Sequence, residues 1–315
     1  MMKCIKIMLL ILPLTLLLPQ CLIAGFEESF EDSDLSNRGW YDNTIPVLSS
    51  TESIPGSSYS VEFRFPTDST TPISGGSMRR KFTESETVYI RYHVKYSDNW
   101  EGSNRSYHPH EFMFLTNQDT DWTGPAYSHL TAYVEQNALR PLLSIQDGRN
   151  IDLDNINEDL VGITEKRSVA GCNGTSNKGY ASLSCYPVGS EMYWNGIIWL
   201  ADTAYINPGM WHKVEAYFQL NSISDGKGVA DGVLKYWLDD ELIISRSDVM
   251  FRTGVHPDMK FNQLVIAPWI GDGSPVDQTF WIDNLKVAKS RPENSADSGL
   301  EIPANLRVRP DDSSD

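Results

Sequence analysis

The sequence predicts an all-β protein, a two-sheet antiparallel β-sandwich that carries one long, disulfide-stapled insertion. Three observations lead there. Apolar and polar residues alternate with a period of two along most of the chain, as they do in strands with one buried face. No segment sustains a 3.6-residue period between helix caps. About a dozen such strands are also more than one twisted sheet carries before it divides into two packed layers.

The chain opens with Lys3 and Lys6, a twelve-residue apolar run from Ile7 to Leu18, then Pro19 and the small pair Ala24-Gly25. This reads as a cleaved signal peptide over 1–24. The run is short of the roughly 20 residues that span a bilayer, and no later segment is apolar enough to try. The mature chain is therefore expected to be secreted or periplasmic, without a membrane anchor. Cleavage removes Cys4 and Cys21 and leaves Cys172 and Cys185, which are expected to pair in an oxidising compartment.

Strands are expected over 25–31, 59–65, 77–82, 88–96, 110–117, 128–136 and 139–146. The strand over 88–96 has two distinct faces: Val88, Ile90, Tyr92, Val94 and Tyr96 alternate with Tyr89, Arg91, His93 and Lys95. The continuous apolar centre from Phe112 to Leu115 suits a central strand covered on both sides. Leu130, Ala132 and Val134 oppose His129, Thr131, Tyr133 and Glu135, and the short gap at Asn137-Ala138 predicts a hairpin to the next strand. Alternation then stops over 147–208, where the two cysteines sit among Asp, Asn, Gly and Ser. A stretch this long without regular structure is commonly functional, and it is read as an insertion. Strands resume over 211–220, 232–238, 241–245, 260–269 and 279–288, so 25–288 forms one domain. The Ser-, Pro- and Asp-rich residues 289–315 read as a flexible tail.

The net charge is −16, and −18 once Lys3 and Lys6 leave with the leader. That excludes a general nucleic-acid binder, which needs clustered Lys and Arg to neutralise phosphate. The acidity is uneven. Residues 25–42 carry a net −5, whereas residues 77–110 carry +2 and three histidines. The cationic region coincides with the strand over 88–96.

Gly209-x-Trp211-His212, Asn221, Asp231-Gly232, Trp237-x-Asp239-Asp240 and Trp281-Ile282-Asp283 resemble the closing strands of the concanavalin A-like lectin and glucanase superfamily. Within it they are most similar to the jelly rolls of alginate- and glucuronan-lyase type. The resemblance covers the last third of the chain by motif and the rest by pattern. It implies a jelly roll, a fold that hosts lectins, hydrolases, lyases and inert modules alike. The chain is read as a monomer whose concave sheet binds an extended polysaccharide. One departure is Asp239-Asp240, where relatives commonly have Asp-Gly; Asp tolerates the left-handed backbone at some cost.

Glycoside hydrolysis requires two carboxylates about 5–9.5 Å apart, and the Glu-x-Asp-x-x-Glu stretch of jelly-roll hydrolases is absent. β-Elimination of a uronic-acid polymer instead needs a cation to neutralise the substrate carboxylate, a base, and an acid for the leaving oxygen. The strand faces supply candidates: Arg91 or Arg140 as neutraliser, His129 as base, Tyr133 or Tyr217 as acid, with Tyr89, His93, Lys95, Arg140, Gln146 and Trp237 as substrate contacts. The Gln-x-His and paired-Tyr motifs of the lyases are not present, so no catalytic residue carries over from them. The same rings and donors would serve a non-catalytic glycan-binding module, and a structural exported protein would use the sandwich only as a scaffold. His212 shares the phase of Val214 and Phe218 and reads as a packed, hydrogen-bonded residue. No cofactor is required. Glu28, Asp32, Asp34 and Asp283 have the oxygen ligands of a structural calcium site, with a solvated acidic edge as the alternative.

Overall fold

The computed structural model describes residues 25–292 apart from 74–75, 106–108, 151–168, 170–185, 188–192 and 195. The expected leader and the Cys172–Cys185 pairing lie outside the described residues. Strands dominate those residues, two short 3-10 turns (Ser36–Arg38 and Pro125–Tyr127) being the helical elements among them. No helix among them is long and apolar enough to cross a membrane.

In chain order the strands are β1 (Phe26–Glu28), β2 (Trp40–Asp42), β3 (Leu48–Ser49), β4 (Ser60–Phe65), β5 (Met78–Ser85), β6 (Thr87–Tyr96) and β7 (His110–Thr116). There follow β8 (Thr131–Asn137), β9 (Arg140–Gln146), β10 (Tyr186–Pro187), β11 (Tyr193–Trp194), β12 (Gly196–Leu200) and β13 (Trp211–Gln219). The last are β14 (Ile223–Ser224), β15 (Lys227–Gly228), β16 (Gly232–Leu238), β17 (Glu241–Val249), β18 (Phe261–Trp269) and β19 (Gln278–Ala288). An eight-stranded sheet has the order β17-β16-β13-β6-β19-β4-β3, with β1 added to β19 beyond the end of β4. A seven-stranded sheet has the order β12-β9-β8-β7-β18-β5-β2. Two short ribbons, β10 with β11 and β14 with β15, complete the pairing.

The alternation in β6 explains its central place. Val88, Ile90, Tyr92, Val94 and Tyr96 enter the core between the sheets, and β6 is flanked on both edges by β13 and β19. Tyr92 stacks on Phe112 of β7 with ring centroids 4.0 Å apart, which ties the two sheets together. Phe114, Phe218, Phe251 and Phe261 pack in edge and tilted contacts at one end of the core, and Tyr96, Trp100 and Phe280 at the other. Each such ring contributes about 1.5–3 kcal/mol by leaving water. β7 is covered on both faces as its apolar run implies: Phe112 and Phe114 face the core, while Met113 and Leu115 join Tyr133 and Val265 in a second cluster.

Several motif residues acquire physical reasons. Gly209 has φ 77°, and a Cβ there would strike the Asp98 carboxylate; at Gly232 it would meet Val249 O at 2.6 Å and the Phe251 ring at 2.7 Å. The Asn221 carboxamide accepts the N–H groups of Phe251 and Arg252 and donates to the carbonyls of Ser222 and Arg252, so a buried polar group is fully satisfied. His212 is buried, with Nδ1 2.7 Å from Asp239 Oδ2 and Nε2 accepting the Asn207 N–H. Asp239 and Asp240 form a turn with φ 50° and 73°, the geometry in which an Asp-Gly pair would be less strained.

Two expectations need correction. β12 pairs with β9 inside the region expected to lack strands; its Gly-Ile-Ile-Trp-Leu sequence has no polar member to reveal alternation, although Ile197 and Trp199 pack on the core and Ile198 is exposed. The predicted tail is not loose at its start. Thr87 Oγ1 donates to Lys289 O, and Arg291 folds back across the eight-stranded sheet.

The β8–β9 hairpin forms, with its turn centred one residue later than expected: Asn137 pairs with Arg140, and Ala138 and Leu139 have φ 49° and 64°. Leu139 offsets this strain by packing on the core, whereas the Ala138 methyl is exposed. Ala138→Gly is expected to stabilise the protein by about 0.5–1 kcal/mol. A urea midpoint that stays put or falls would remove the case for strain at this turn.

Candidate functional site

The outer face of the seven-stranded sheet is set by register. Ile198, Ser144, Tyr133, Met113, Val265, Arg79 and Tyr41 lie in one row across it. The centre of that row is apolar and closed, with Tyr133 only 2% exposed. On the β2 side a loop is pinned over the sheet. Tyr41 Oη and Gln263 Nε2 both donate to Asp121 O, at 3.0 and 3.1 Å, Arg79 Nη1 donates to Thr123 O at 3.0 Å, and Lys81 pairs with Asp121.

Chemistry gathers at the opposite end of β7. The His110 ring lies between Tyr133, with centroids 5.0 Å apart, and Trp269, at 5.9 Å. Its Nδ1 is 2.7 Å from Oε1 of the buried Glu135. A carboxylate at Nδ1 places the ring proton there and leaves Nε2 as the basic nitrogen. Tyr133 Oη donates to Gln146 Oε1 at 2.5 Å, and burial raises its pKa well above the ordinary phenol value. On β9, Arg140 donates from Nε and Nη2 to Ala201 O and lies over the Tyr205 ring at 5.9 Å. No carboxylate among the described residues forms an ion pair with it.

The pairing of β7 with β18 is irregular here: Phe112 stands opposite Ile266 and His110 opposite Trp269, so β18 carries the extra residue of a β-bulge. Glu111 reaches inward to Tyr96 Oη at 2.8 Å and Phe112 also faces the core, so two consecutive residues of β7 point the same way and His110 is turned to the outer face. Strict alternation would have placed His110 inside, and this is why it escaped the sequence reading. Glu135 shares the phase of Tyr133 and was legible as its neighbour.

The predicted residues divide between opposite faces of the sandwich. Tyr133, Arg140 and Gln146 are on the outer face of the seven-stranded sheet. His129 stands at its far end, where Nδ1 is 2.9 Å from Asp119 Oδ1; it pairs with that carboxylate and not with Tyr133. Arg91, Tyr217, Tyr89, His93, Lys95 and Trp237 lie on the outer face of the eight-stranded sheet, across a core layer about 10 Å thick. There Tyr89 Oη donates to Glu215 at 2.6 Å, Arg91 to Asn284 at 3.4 Å, Lys95 to Glu52 at 2.6 Å and Tyr217 to Gln219 at 3.0 Å. His93 is buried opposite Asp283, and Trp237 lies 4.6 Å beneath the Arg291 guanidinium. A single site holding Arg91 and Tyr217 with His129 and Tyr133 is therefore not formed. Alternation assigns a residue to a face of its strand, but only pairing assigns the strand to a sheet.

The four carboxylates considered for calcium are not brought together either. Glu28 and Asp32 pair with Arg38, Asp34 accepts from Ser36 and Asn37, and Asp283 accepts the Ile54 and Asn284 N–H groups. Among the described residues no group of three or more His, Cys, Asp or Glu is arranged to hold a metal.

No protein-family profile and no curated sequence matches the chain. Solved structures do. The marine PL-14 alginate lyase from Aplysia kurodai is similar with a TM-score of 0.50 at 11% identity, over 84% of this chain and 98% of that one. An alginate lyase from Chlorella virus gives 0.48 at 12% identity, over 78% and 90%, and a laminarinase from Flavobacterium 0.42 at 13%, over 84% and 98%. At such identities what is shared is the fold, a β-sandwich of two antiparallel sheets.

Proposed function

We propose that the chain is an exported, carbohydrate-active protein that binds an extended acidic polysaccharide on the outer face of the seven-stranded sheet and cleaves it by β-elimination. The reading rests on one observation, the juxtaposition of His110, Glu135 and Tyr133. His110 Nε2 takes the proton from the carbon beside the uronate carboxylate. The released electron pair forms the carbon–carbon double bond as the next carbon loses its glycosidic oxygen, and Tyr133 protonates that oxygen. Arg140 pairs with the substrate carboxylate, favouring the charge that develops there. Burial keeps the Tyr133 phenol protonated until it is needed. Tyr205 is 53% exposed and supplies a stacking surface beside Arg140.

A second reading, a non-catalytic glycan-binding module, is favoured by the commitment of the Tyr133 proton to Gln146. The test separates the two. Mature protein is incubated with alginate, glucuronan, pectate and glycosaminoglycans, and the ultraviolet absorbance of unsaturated uronates is followed. Activity on one polymer is expected to fall at least about 100-fold in His110→Ala and in Tyr133→Phe. Retarded migration on a polysaccharide gel without any absorbance change would establish the binding module, and silence in both assays would sink both readings.

A further inference from the structure

We propose that His129 and His256 form a binding site for a divalent transition-metal ion of the zinc type, with Asp119 as the carboxylate that orients His129. The site lies at the end of the seven-stranded sheet away from His110 and takes no part in the elimination proposed above. The two imidazoles have centroids 5.0 Å apart and planes at 74°. Metal–nitrogen bonds of about 2.0–2.1 Å at near-tetrahedral angles hold two imidazoles with centroids about 5 Å apart, so the pair already has the required spacing.

The His129 ring is held in one orientation. The Asp119 side chain is 2% exposed. Its Oδ1 receives His129 Nδ1 at 2.9 Å, and its two oxygens also receive the His129 backbone N–H at 3.0 and 3.2 Å. A carboxylate on one imidazole nitrogen fixes the tautomer and makes the other nitrogen a better ligand. Asn150 Nδ2 donates to His129 O at 2.5 Å and fixes the backbone as well. His256 sits in a turn closed by His256 N to Thr253 O and Met259 N to His256 O, both 3.2 Å. Its ring makes no hydrogen bond to the described residues, and its principal neighbour is His129. Two protein nitrogens leave the ion's other positions to water or an added ligand, the arrangement of an exchangeable site and not of a closed structural one.

The test uses mature, tag-free protein stripped with EDTA and titrated with Zn²⁺ by calorimetry, and with Cu²⁺ by electron paramagnetic resonance. One saturable Zn²⁺ site is expected, with hyperfine structure from two imidazole nitrogens on bound Cu²⁺. His256→Ala should abolish the site while leaving the EDTA-treated protein's Tm unchanged, because the ring holds nothing else in place. His129→Gln should also abolish it, and Asp119→Asn should weaken affinity about 10–100-fold. Absence of saturable Zn²⁺ binding, a single-imidazole Cu²⁺ spectrum, or binding that survives His256→Ala in a folded protein would each overturn the proposal.

Discussion

Stability is expected to fall as the pH rises from about 5 to above 8, and Glu111→Gln is expected to remove most of that fall. Glu111 is 1% exposed between the sheets. Burial pushes its carboxyl up to about 8 from an ordinary 4.5, against the pull of hydrogen bonds from Tyr96 and Gln136, while the nearby Glu135 charge raises it further. The folded chain therefore keeps a proton that the unfolded chain releases. Below the unfolded value both states are protonated and the contribution is fully present. Between the two values unfolding is favoured by about 1.4 kcal/mol per pH unit at most, and the loss is complete once the folded carboxyl also ionises. Asp283 acts in the same sense at lower pH, since burial raises it to about 6 from 3.8. Glutamine preserves the shape and can still accept from Gln136. Urea denaturation between pH 5 and 9 should give converging stabilities at the acid end and a variant several kcal/mol more stable at the alkaline end. Parallel profiles would show that Glu111 is not held neutral.

Arg291→Ala is expected to cost about 3 kcal/mol, although the residue lies in a stretch whose composition suggests a loose tail. Its Nε and Nη2 donate to the two carboxylate oxygens of Glu215 at 3.0 and 2.9 Å, with Trp237 beneath the guanidinium. The Glu215 side chain is fully buried. Burial alone would raise its pKa, but hydrogen bonds from Arg291 and Tyr89 hold it below the ordinary range. This contribution has the opposite pH sense: it is present above the unfolded carboxyl value and is lost as the pH falls through the lower folded one. Alanine at 291 leaves a buried charge with Tyr89 and a Lys213 ammonium 4.0 Å away as its remaining support. Glu215→Gln in the same chain should recover much of the loss, because the stranded charge is gone. A double-mutant cycle that shows no coupling would mean that Arg291 does not neutralise Glu215.

The alternation of residues 88–96 or 128–136 is visible in the sequence because a strand projects successive side chains to opposite faces, and a sheet with one buried face demands that period. The sequence by itself thus determined most of the long strands with their inward and outward sets, the buried state of His212 and the two-layer class, but not β12 or the short strands. It could not decide partners. Arg91 and Tyr133 look equivalent along the chain, yet β6 pairs with β13 and β19 while β8 pairs with β7 and β9, which puts the two residues on opposite outer surfaces. Nor could it locate His110, which turns outward where β7 and β18 lose their regular register and Glu111 turns inward to Tyr96 and Gln136. Such features depend on hydrogen bonds between residues far apart in sequence, and only the tertiary structure decides those.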